Sequence, residues 1–128
     1  MIVRIRCTIS NAYLLLGERA LLVDAGAPGD VPRILRALRT QRVEPDRLSL
    51  ILLTHAHCDN AGGAAELHRR CGAPIALHAA DTPLARAGRN GVLAPVSPLA
   101  RLIRPYFDEP FEPFEPDLAF QVGFDLVP

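Results

Sequence analysis

The sequence has no charge of one sign to spare. Its 14 basic and 14 acidic residues cancel, and arginines dominate the basic set. Nucleic-acid affinity rests on Lys and Arg contacts to phosphates, so this balance argues against a nucleic-acid binder. Cysteine is scarce. Cys7, Cys58 and Cys71 are odd in number, irregularly spaced and free of any CxxC pair, a poor disulfide framework and a poor cysteine-zinc site. No apolar run approaches the roughly 20 residues that cross a bilayer, so no membrane partner is expected. The N-terminus, Met1 to Arg6, alternates apolar and charged residues and lacks the apolar core of a signal peptide. A cytoplasmic chain is the default expectation.

What is present is apolar material, 49% of 128 residues, enough to bury the core of one small domain or of part of a larger one. Over residues 2–9, Val3, Ile5 and Cys7 alternate with Arg4 and Arg6, the period of a half-buried strand. Residues 12–16 and 20–24 read as two more strands joined by a short loop at Gly17-Glu18-Arg19. Asp30 is a fitting N-cap for a helix over 31–42, with Val31, Ile34, Leu35 and Leu38 on one stripe and Arg33, Arg36 and Arg39 opposite.

Residues 48–53 form a mostly apolar strand suited to a sheet interior. Ala64 to Cys71 is a helix stopped by Gly72 and Pro74. A strand at 75–78 follows, then a helix opened by Asp81-Thr82-Pro83 and a further one from Ser97 to Arg104. Residues 108–117 hold five acids, three prolines and no base, an extended surface stretch read as a rigid connector or a peptide-docking segment. Leu118 to Val127 alternates as a last strand, and a domain seldom ends flush with such a strand, so the domain over 1–128 is expected to be truncated at its C-terminal end. Strands interleaved with helices give an α/β (α+β) class.

The chemistry lies in Thr54-His55-Ala56-His57-Cys58-Asp59-Asn60-Ala61-Gly62-Gly63, between an apolar strand and a helix. Residues two apart in an extended backbone point to the same side. His55, His57 and Asp59 therefore converge, with Ala56 and Cys58 facing away. Two imidazoles and a carboxylate suit zinc, and also iron or manganese. A pair of histidines merely capping a strand through hydrogen bonds is the plainer reading. Gly62-Gly63 allows the loop to tighten into the helix.

This segment resembles the signature Thr-His-x-His-x-Asp-His-x-Gly of the metallo-β-lactamase superfamily. The resemblance extends to Asn11–Leu16, to Leu22-Val23-Asp24-Ala25-Gly26, and to Ile75–His78 with its following Ala-Ala-Asp. It implies an αββα sandwich of two similar halves, of which this chain is the N-terminal part. It also implies one or two zinc-type ions and a metal-activated water attacking an ester, thioester or lactone of a small molecule, as in glyoxalase II. By position, His55 and His57 are implied ligands of a first ion and Asp59 of a second, with a catalytic role in orienting the nucleophile. Asp24 is implied to brace the metal loop.

The sequence departs from the family at Asn60, where many members carry a second-metal histidine. It also contains no Gly-His-Thr-Pro-Gly-His type segment to supply a third histidine. His78, at a strand end near the site, is open to a supporting, a substrate-facing or a purely structural role. His68 is expected on the surface, and Cys58 is expected to pack rather than react. The competing functional reading is a catalytically silent half-domain serving as an assembly unit. Either way a homodimer, or a missing C-terminal half, is the expected partner.

Overall fold

A computed structural model describes residues 1–91 and 97–121. Six strands form one mixed sheet in sequence order: β1 (Ile2–Arg6), β2 (Asn11–Leu16), β3 (Ala20–Val23), β4 (Leu48–Leu52), β5 (Ile75–His78) and β6 (Leu118–Phe120). The first three are an antiparallel meander and the last three run parallel to β3. Helices α1 (Val31–Thr40), α2 (Cys58–Ala61), α3 (Ala64–Cys71), α4 (Thr82–Ala87) and α5 (Pro98–Phe107) fill the crossovers.

Parallel crossovers are right-handed, and this sheet grows in one direction from β3 to β6, so its crossovers fall on one face. The core lies there. Ala12, Leu14, Leu22, Ile51, Ile75 and Leu77 from the sheet meet Val31, Ile34 and Leu38 of α1 and Leu67 of α3 in one buried cluster. Each large side chain so buried contributes roughly 1.5–3 kcal/mol of transfer free energy. The stripe expected on α1 is the buried one, with Leu35 partly covered.

The opposite face is set by register. Ile2 pairs with Leu15, Leu15 with Leu21, Leu21 with Leu50, and Leu52 with Ala76, which pairs with Leu118. Leu50 and Ala76 in the middle of this row are buried, and its outer members are not. Ile2 is 70%, Tyr13 37% and Leu118 50% exposed. The described chain is thus one sheet and one helical layer, two layers of the expected four.

Several details differ from the sequence reading. Asp30 stands at the N-cap of α1, but its carboxylate does not cap the helix. It turns back to accept from the Thr8 and Ala27 amides and the Thr8 hydroxyl, tying β1's exit to the α1 entrance. The loop 54–63 does not stay extended, because α2 begins at Cys58. His68 is at the surface as expected, its side chain 43% exposed, but it is not idle: its Nδ1 lies 2.8 Å from the Ala73 oxygen, across the left-handed Gly72 turn that ends α3. The 108–117 stretch is no bare connector. Phe111 is buried in the core, and the Arg69–Glu112 and Arg86–Glu115 pairs flank it. Of the strand expected over 118–127, Leu118–Phe120 is present, and residues 122–128 lie outside the described residues.

Candidate metal centre

The site forms where β4 runs out of the sheet, at the C-terminal edge of the parallel strands, where open α/β sheets present their ligand-binding groups. His57 is still extended, with φ −100° and ψ 156°, and Asp59 enters from the first turn of α2. The alternation expected from sequence therefore carries through His57, and the helical turn completes it. His55, His57 and Asp59 each offer one ligand atom, all within 4.8 Å of one another and all half-buried. The imidazoles meet edge to face at 4.8 Å and 89°. Ala56 and Cys58 point inward and are buried. That spacing and donor set suit a single divalent ion with one tetrahedral position left over among the described residues.

His55 is oriented by a chain of hydrogen bonds. Asp24 accepts from the Thr54 amide and hydroxyl at 2.9 Å, and the same hydroxyl lies 3.0 Å from His55 Nδ1. A hydroxyl has one proton to give. Thr54 gives it to the carboxylate, so it accepts from His55 Nδ1–H and leaves the Nε2 lone pair facing the site. The brace expected of Asp24 is therefore real, and it acts through Thr54. Asp24 sits in the left-handed region at φ 62°, a conformation that costs energy in a non-glycine residue. Its burial also pushes the carboxyl pKa up, against the pull of the Thr54 hydrogen bonds.

Other anchors were not foreseen. The Ala56 amide donates to Asp81 Oδ2 at 3.1 Å, the Cys58 amide to Asn90 Oδ1 at 2.7 Å, and Ser10 Oγ to the Asp59 carbonyl. Asp81 follows β5 at the same sheet edge, and Asn90 stands between Arg89 and Gly91 after α4. Only the position of Asp81 just past a parallel strand hinted at a role. Nothing local to the sequence pointed to Asn90 or Ser10.

Asn60 is buried, with Nδ2 2.9 Å from His55 Nε2. Gly62 and Gly63 have ordinary helical or near-helical φ, so they are not there for conformational freedom. They are there for space: a Cβ on Gly62 would lie 2.3 Å from the Cys58 oxygen, and one on Gly63 would lie 2.5 Å from the Ala25 oxygen. His78 is a structural histidine. Its Nδ1 accepts from the Ala80 amide and its Nε2 donates to the Gln121 carbonyl, so both nitrogens are committed away from the site.

The metallo-beta-lactamase superfamily matches this chain along residues 5–127. The chain belongs to that superfamily. A UPF0173 metal-dependent hydrolase of Thermococcus kodakarensis is 42% identical over 64 residues, which are 50% of this chain and 26% of that protein. The metallo-beta-lactamase MIM-1 of Novosphingobium pentaromativorans superposes with a TM-score of 0.75 at 26% identity, over 91% of this chain and 40% of that one. The subclass B3 metallo-beta-lactamase BJP-1 of Bradyrhizobium japonicum gives 0.76 at 22% identity, over 98% and 44%. The superfamily fold is thus this chain's fold, and the chain spans less than half the length of these solved superfamily structures. No helix among its described residues is long and apolar enough to cross a membrane.

Proposed function

We propose that the chain is the N-terminal, metal-binding part of a zinc-type hydrolase acting on an ester, thioester or lactone of a small molecule. The observation that carries this is the convergence of His55, His57 and Asp59 within 4.8 Å. Iron or manganese would use the same donors.

When bound, such an ion would lower the pKa of a water toward roughly 7 and polarise the bond under attack. The protein's part is positional. His55 presents Nε2 because Thr54 and Asp24 hold its other nitrogen. His57 supplies the second imidazole, edge-on to the first. Asp59 has two carboxylate oxygens, one to bind the ion and one to hold the proton of an attacking water at the reacting carbonyl. Half-burial of all three keeps the site open to a substrate while limiting the water around it.

The uncovered sheet face supports a second element of this reading. A second sheet, from further polypeptide or a second copy, would cover Ile2, Tyr13 and Leu118 and bring the remaining ligands. Cys7, Cys58 and Cys71 form no disulfide among the described residues, which suits the reducing, cytoplasmic setting this reading proposes.

Elemental analysis of purified chain after zinc loading tests the metal assignment. The parent should hold zinc and His55→Ala/His57→Ala should hold none, whereas equal metal in both would overturn it. Turnover of thioester and lactone panels by the metal-loaded protein, abolished by Asp59→Ala, tests the reaction class.

A further inference from the structure

We propose that Asp81 and Asn90 are positioning residues of the metal centre, holding the ligand loop in its binding shape before any ion arrives. The inference rests on the metal-site reading and deepens it.

The loop after β4 leaves the sheet, so its amides lose their strand partners. Leu53 N–H still donates to the Ala76 carbonyl of β5 at 2.9 Å. Beyond it, the amides of residues 54, 56 and 58 each end on a side-chain oxygen: Asp24 Oδ1, Asp81 Oδ2 and Asn90 Oδ1. The three acceptors come from three places in the fold: the end of β3, the turn after β5 and the segment after α4. The residues between and just after the anchored amides are His55, His57 and Asp59. Each ligand therefore has an anchored amide immediately before it in the chain, at 54, 56 and 58.

A loop without such anchors would have to be ordered by the ion, and the ordering entropy would be subtracted from the binding free energy. Here the side chains supply that order. Asp81 and Asn90 are each only half-buried. Asp81 also holds the N-cap position of α4, yet its carboxylate makes no cap hydrogen bond there. It accepts instead from the Ala56 amide of the loop. Asn90 bonds the loop twice, through Oδ1 to the Cys58 amide and through Nδ2 to Cys58 Sγ at 3.6 Å. The bonds to the Ala56 and Cys58 amides need only an oxygen acceptor, so alanine removes them and the isosteric partner restores them. Asn90→Asp gives up only the weak Nδ2 contact to Cys58 Sγ, and this separates positioning from general structural support.

The experiment titrates the metal-free chain with zinc against a chromophoric chelator and repeats it with cobalt(II) to read coordination from its visible spectrum. Loss of such supporting groups typically costs 10–100-fold in metal affinity, so Asp81→Ala and Asn90→Ala should each weaken zinc binding by about tenfold, while Asp81→Asn and Asn90→Asp stay within about threefold of the parent. Amide hydrogen exchange on the metal-free proteins reads the same bonds directly. The Ala56 and Cys58 amides should be protected in the parent and in the two conservative variants, and each should exchange faster in its own alanine variant. Alanine variants that bind zinc as the parent does, or conservative variants as weak as alanine, would overturn the proposal. Should the parent itself bind no zinc, the metal-site reading fails. The exchange data then decide this one alone: rapid exchange of both amides in the parent overturns it, and protection upholds it.

Discussion

The side-chain amide of Asn60 closes on His55: Nδ2 lies 2.9 Å from Nε2, the nitrogen that the Thr54 hydroxyl leaves available for a metal. Nε2 has one lone pair, so accepting from Asn60 and binding an ion are mutually exclusive uses of it. A hydrogen bond of this kind is worth about 0.5–1.5 kcal/mol net.

Removing the amide should release that nitrogen. Asn60→Ala is expected to bind the first zinc about 2- to 10-fold tighter, the affinity equivalent of one such bond. If Asn60 stands in for a second-metal histidine, as the family resemblance implies, Asn60→His should raise metal content in protein carrying the full ligand set. Calorimetric titration gives both numbers, and an Asn60→Ala variant that binds more weakly would show that the amide supports the site instead of competing for it.

Asp24 gives the protein a pH dependence of definite sign. Burial raises its carboxyl above the ordinary aspartate value of 3.8. The folded state thus holds the proton more tightly than the unfolded chain. The contribution to stability is greatest below the unfolded value and is lost as pH rises through the folded one. Thermal melts between about pH 4 and pH 7 should show the parent losing stability relative to Asp24→Asn across that window. Parallel profiles would mean that burial does not govern this carboxyl.

Gly62 is fixed by its neighbours. A Cβ there meets the Cys58 oxygen at 2.3 Å and Pro28 Cδ at 2.5 Å, and backbone and proline ring have little room to yield. Gly62→Ala should cost about 1–3 kcal/mol, the usual range for overpacking. Gly29→Ala, with nothing within 4 Å, is the control. Urea denaturation that places both variants at the parent's midpoint would contradict the packing argument.

The acidic strap is held by one ring more than by its charges. Phe111 is 6% exposed and its amide donates to the Gly88 carbonyl. Phe111→Ala should cost about 3–5 kcal/mol, whereas Arg69→Ala, which breaks an exposed ion pair, should cost under about 1 kcal/mol. If the arginine variant proved the more damaging in denaturant titrations, the strap would be an electrostatic device after all.

The open sheet face leads to a prediction about association. Residues 1–128 alone should self-associate at micromolar concentration, because Ile2, Tyr13 and Leu118 leave apolar surface exposed on this face, and exposed apolar patches favour association. Sedimentation velocity measures this directly. A cooperative monomer of 13.9 kDa would show that the face tolerates solvent.

By itself the sequence determined most of the elements and the grouping of His55, His57 and Asp59. Ala64–Cys71 and Ile75–His78 were legible to the residue, because their periodicity and their Gly and Pro stops are local signals. His55, His57 and Asp59 were legible for the same reason: their spacing lies within five residues of chain. Tertiary structure alone decided what holds them. Asp30 has the right chemistry for a helix cap, yet Thr8, 22 residues away, takes its carboxylate. Asp81 and Asn90 reach amides 25 and 32 residues distant, and His78 spends both nitrogens on backbone groups. A polar side chain bonds whichever partner the packed chain brings within 3 Å, and no local pattern encodes which distant segment that will be.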